Sequence, residues 1–63
     1  MLVATIQIKF NDNSIHTDVL VQEDNEIVNA KNPQFVMPGT EKSFKNFLNR
    51  LGELGAYIKI QEF

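Results

Sequence analysis

Apolar and polar residues alternate from Leu2 to Phe10: Leu2, Ala4, Ile6, Ile8 and Phe10 fall on one side, and Thr5, Gln7 and Lys9 on the other. A period of two marks a half-buried strand. The turn formers Asn11, Asp12, Asn13 and Ser14 follow, and Ile15, Thr17, Val19 and Val21 resume the alternation, so the first two elements read as a hairpin. With Asp12 and Asn13 as the central turn residues, Phe10 pairs with Ile15, Ile8 with Thr17, Ile6 with Val19 and Ala4 with Val21. Both apolar sets then share one face, and a slip of one residue would turn one of them to water.

Glu23, Asp24, Asn25 and Glu26 form a polar corner, after which residues 27–30 fit either a short third strand or an irregular return. Pro33 and Pro38 bracket Phe35, Val36 and Met37, and two prolines cannot sit in a central ladder, so this stretch reads as an irregular connection. Thr40 suits a helix N-cap, with Glu41 in the first turn complementing the helix dipole. Phe44, Phe47, Leu48, Leu51 and Leu54 then recur at helical spacing, and Gly55 is placed to end the helix in the left-handed conformation, although Gly52 weakens the last turn and could end it earlier. Residues 56–62 alternate once more, with Ala56, Ile58 and Ile60 inward and Tyr57, Lys59 and Gln61 outward. The expected fold is one α+β domain over residues 1–63. Its single amphipathic helix packs on one face of a three- or four-stranded, mostly antiparallel sheet.

At 63 residues, 43% hydrophobic and 22% charged, the chain has the balance of a soluble globular domain rather than of a disordered segment. It has no Cys, which excludes a disulfide framework, thiolate chemistry and Cys-bound zinc, so stability must come from packing. A core this small is marginal by itself, which makes homodimerisation or partner binding a reasonable source of further stability. No apolar run approaches the ~20 residues that span a bilayer, and the strand pattern starts directly after Met1. A cytoplasmic product, complete from its own start and without membrane contact, is expected.

Ser14, His16 and Asp18 include one member of each catalytic-triad type, at alternating positions of a strand. Alternate strand residues lie ~6.5–7 Å apart and project side by side, whereas nucleophile, base and acid must converge to ~2.6–3.2 Å. A solvated strand face is the expectation. His16 is the only His, Lys9 and Gln7 would lie near it, and the acidic corner lacks the oxygen-ligand pattern of a calcium loop, so neither a metal nor a cofactor is expected. The chain reads as a non-enzyme.

Charge is distributed unevenly: residues 1–28 hold one Lys against five acids, net −4, and residues 29–63 hold five bases against three acids, net +2. The pI near 5.1 disfavours nucleic acid as a partner. Elimination leaves a protein-binding module as the leading expectation: a small inhibitor or regulator of a larger protein, with a phage or mobile-element origin as background. Its contacts would be Leu20, Tyr57 and Phe63 on the outer sheet face, Glu23, Asp24 and Glu26 at the acidic corner, and Phe35, Val36 and Met37 in the proline-bracketed stretch. That stretch could instead serve as extra core. A weak single-stranded nucleic-acid binder using Lys9, Tyr57, Lys59 and Phe63 is the alternative, because rings among cations suit base stacking. A homodimeric structural subunit is the third reading.

Overall fold

The computed structural model describes all 63 residues. The opening alternation forms β1 (Leu2–Lys9) and β2 (Ile15–Glu23), paired antiparallel, but the register differs by one residue from that expected. Ala4 stands opposite Leu20, Ile6 opposite Asp18 and Ile8 opposite His16. The cause lies in the loop. Phe10 N–H donates to the Ser14 carbonyl at 2.9 Å and Asn13 N–H to the Phe10 carbonyl at 3.0 Å, enclosing residues 11–13 as a three-residue connection. Asn13 takes φ 68°, the left-handed residue that such loops require and that Asn tolerates better than most side chains. Asp12 braces the turn by accepting from the Ser14 N–H (3.0 Å) and the Ser14 hydroxyl (2.5 Å).

This register exchanges the two faces of β2. Leu20 and Gln22 enter the core, while Ile15, Thr17, Val19 and Val21 line the opposite face. The alternation of Val, Ile and Thr marked a strand correctly, since β-branched residues suit any pleated surface, but it did not mark the buried side.

Asp24 and Asn25, at φ 52° and 61°, make a tight turn into β3 (Glu26–Asn29), so residues 27–29 do lie in a strand. The proline-bracketed stretch is a strand as well, not an irregular connection. β4 (Asn32–Pro38) pairs with β3 at the sheet edge, with a register irregularity between Val28 and Asn29. Proline is compatible with that place because an edge residue can lose its N–H on the solvent side without breaking the ladder. All seven residues of β4 are exposed, so Phe35, Val36 and Met37 do not supply the extra core considered above.

The helix α1 (Glu41–Glu53) starts and stops where its caps dictate. Thr40 accepts from Ser43 N–H at 3.1 Å, and at the other end Ala56 N–H reaches the Leu51 carbonyl and Gly55 N–H the Gly52 carbonyl. That pair of bonds, with Gly55 at φ 102°, is a Schellman termination. The chain then enters β5 (Tyr57–Glu62), antiparallel to β1, completing a five-stranded sheet of order β4-β3-β2-β1-β5. The expected α+β class stands, with five strands instead of three or four.

Phe44 and Leu48 of the helix pack on Leu2, Ala4, Ile6, Leu20 and Ile27, and these seven residues are the buried core. Leu51, Ile8, Ala56 and Ile58 close its rim. Other members of the apolar patterns fall outside: Phe10, Phe47, Ile60 and especially Leu54, which is the helix C-cap and 83% exposed. Gln22 is the one buried polar residue, and its amide donates to the Gly39 carbonyl at 3.3 Å. No helix is long and apolar enough to cross a membrane.

Candidate interaction surface on the open sheet face

One helix covers one side of the sheet, and nothing in the chain covers the other. Strand register determines what the open side displays. Val36 of β4 stands opposite Val28, Val28 opposite Val21, Val21 opposite Val3, and Val3 opposite Gln61 of β5. Four valines therefore run in a row across four adjacent strands. A parallel row carries Val19, Thr5 and Lys59, and a third carries Thr17, Gln7 and Tyr57. Beyond the valine row, Glu23 and Glu26 oppose each other on the same face, and Phe63 joins Met1 through two backbone bonds of 2.8 and 3.1 Å. Val3, Val19, Val21 and Val28 are half-buried by their neighbours, whereas Tyr57 and Phe63 are 63% and 71% exposed.

The residues singled out from sequence are thus divided. Val36, Glu23, Glu26, Tyr57 and Phe63 share the open face, as do Lys9 and Lys59 of the nucleic-acid alternative. Asp24 sits in the turn between Glu23 and Glu26. Met37, opposite Ile27, belongs to the helix side, and Phe35 lies exposed on the same edge strand. Leu20 is buried at 9% exposure and touches no partner from the core. His16, also assigned to the outer face, lies opposite Ile8 on the helix side.

The sequence reading missed Val3, Val19, Val21 and Val28 as surface residues. The one available signal was the loop. Asn11-Asp12-Asn13 offers a left-handed Asn in third position, which favours a three-residue connection over a two-residue one and moves the register by one.

The triad-like trio separates in a way that strand spacing alone did not foresee. His16 Nε2 and Asp18 Oδ2 meet at 3.0 Å, so these alternate side chains do converge. Ser14, however, gives its hydroxyl to Asp12 instead of to His16. These two bonds from Ser14 hold the Asp12 carboxyl below its ordinary value of 3.8. His16 instead meets the Phe10 ring at 6.4 Å between centroids. No three His, Cys, Asp or Glu side chains come together as metal ligands.

Two shallow concavities complete the surface. One, of about 250 Å³, lies at the helix C-terminus between Ile8, Leu51, Leu54 and Ala56. The other runs along the helix beside Glu41, Lys42, Lys45 and Asn46, where Lys45 and Glu41 pair at 3.0 Å. No family model, curated protein or solved structure matches this chain.

Proposed function

We propose that this chain is a non-enzymatic module that binds a larger protein, as a small inhibitor or regulator, through its open sheet face. The observation that carries the reading is the row Val36, Val28, Val21 and Val3, uncovered by any other element, with the exposed rings of Tyr57 and Phe63 at β5 on the same face. A contiguous apolar strip with aromatic rings beside it at the β5 end and a charged rim has the make-up of an interface centre, and a hydrogen-bonded sheet loses little backbone entropy on docking. The charges around it, Glu23 and Glu26 at one end and Lys9 and Lys59 elsewhere, give such a contact an orientation.

The test is capture of partners from nuclease-treated lysate of the source cell, with Val21→Lys and Phe35→Ala compared against the unaltered chain. One stoichiometric protein retained by the chain and by Phe35→Ala, and lost with Val21→Lys, is the expected result. Retention indifferent to Val21 rejects this face. The non-enzyme part of the reading is supported by the engagement of Ser14 with Asp12. His16→Ala is expected to leave function intact, and a turnover lost in that variant would overturn this part.

A second reading has its own observation: Lys9, Tyr57, Lys59 and Phe63 share the open face, spread along β1 and β5, where rings could stack on bases and ammonium groups could meet phosphates. Binding of a fluorescent single-stranded oligonucleotide, falling as a power of salt concentration and lost in Tyr57→Ala, would put this reading first. An oligonucleotide that does not bind at low salt removes it.

A further inference from the structure

The two edges of the sheet are built differently. The β4 edge contains Pro33 and Pro38 and a register irregularity against β3, all of which hinder pairing with another strand. The β5 edge, Tyr57–Glu62, has no Pro, no Gly and no register irregularity against β1.

The direction of its free peptide groups follows from the ladder with β1. Met1 and Phe63 exchange both backbone bonds, Met1 N–H donating to the Phe63 carbonyl and Phe63 N–H to the Met1 carbonyl. Doubly bonded pairs recur at every second residue of an antiparallel ladder. Gln61, Lys59 and Tyr57 therefore also turn their peptide groups toward β1, and Ile58, Ile60 and Glu62 turn theirs away from the sheet.

From this geometry we propose that β5 pairs antiparallel with β5 of a second copy of the chain, about a two-fold axis through Ile60, joining two sheets into one. With Ile60 opposite its own copy, Ile58 stands opposite Glu62 of the other chain, and every outward N–H and C=O of these three residues is bonded. On the open face the same register sets Tyr57 against the second chain's Phe63 and Lys59 against its Gln61. These are the closely spaced, non-hydrogen-bonded positions where cross-strand side chains interact most. The exposed Tyr57, Ile60 and Phe63 each gain an apolar neighbour. Moving the axis to Lys59 brings two ammonium groups face to face, and moving it to Gln61 sets Lys59 against Phe63 and loses the pairing of Tyr57 with Phe63. The edge is self-complementary in one register, and that selects a second copy over an unrelated strand. The inference does not rest on the open-face reading, since the valine row stays uncovered in such a dimer.

Sedimentation equilibrium across a ~10³-fold concentration range is the first measurement, because an association of this kind shifts by mass action. The expected mass rises from one chain to two. Ile60→Pro deletes an N–H that points away from β1, so it spares the inner ladder and should leave a monomer throughout, with its strand content retained by circular dichroism. A second pair of variants does not depend on how proline is tolerated. The chain has no Cys, so Ile60→Cys can cross-link only to its own copy. In the proposed register its Cα lies ~5.5 Å from the partner's, within disulfide reach, while Ile58→Cys has its counterpart far along the strand. Fast disulfide formation in Ile60→Cys and little in Ile58→Cys is expected. A monomer across the whole range, a dimer that survives in folded Ile60→Pro, or equal cross-linking of the two Cys variants would each overturn the proposal.

Discussion

The two faces of this sheet are made of similar residues and do different things. Leu2, Ala4, Ile6, Leu20 and Ile27 on one side lie under Phe44 and Leu48 of the helix and lose nearly all contact with water. Val3, Val19, Val21 and Val28 on the other side are equally apolar, yet keep part of their surface in solvent because no second layer exists. Side-chain type does not separate the faces. Coverage does: stability should depend steeply on the first set and weakly on the second, leaving the second free to serve binding.

The strongest challenge to that contrast is Phe44→Ala, which would open a cavity between helix and sheet. A loss of about 3–5 kcal/mol in denaturant unfolding is expected, enough to unfold much of a domain this small. Gly39→Ala tests the same face from its margin. An added Cβ would lie 2.8 Å from Ile27 Cγ1 and closer still to its Cδ1, and Ile27 is itself core, so about 1–3 kcal/mol is expected by the same assay. Thr40→Ala removes the cap that fixes where the covering helix begins, at a cost of about 1 kcal/mol. Val21→Thr, in the open row, should change stability by no more than about 0.5 kcal/mol. A loss as large as that of Phe44→Ala would mean that the open face is a second core and would end the comparison.

The smallest effect concerns the loop that decides which set of β2 residues is covered. Bonds from Ser14 lower the Asp12 carboxyl, so the folded form binds its proton less readily than the unfolded chain does. The stabilisation from this group is therefore complete above the ordinary carboxylate value of 3.8 and is lost as pH falls through the lowered one. NMR titration should find Asp12 below that value, and Ser14→Ala should move it back up.

These contrasts also show how far the sequence could be read. Both helix ends were legible, because Thr40 and Gly55 act through bonds to residues a few positions away. The exposure of Tyr57, Lys59 and Gln61 was legible too, since in their alternation with Ile58 and Ile60 the aliphatic residues fall on one side only. In β2 both sides of the alternation carry apolar residues, and there the reading chose the wrong one. It placed Leu20 outside and Val19 and Val21 inside, and so drew the interaction face without the valines that give it continuity.

Local pattern thus determined most of the elements: strands β1, β2 and β5, where the helix starts and stops, and where the chain must turn. Those features depend on periods of two and on hydrogen bonds that close within one turn. Only the tertiary structure decided which side of β2 is covered, that residues 32–38 form an edge strand, and that the β5 edge is left open. The first depends on a register set by one left-handed Asn13, and the other two on the order in which the five strands pair.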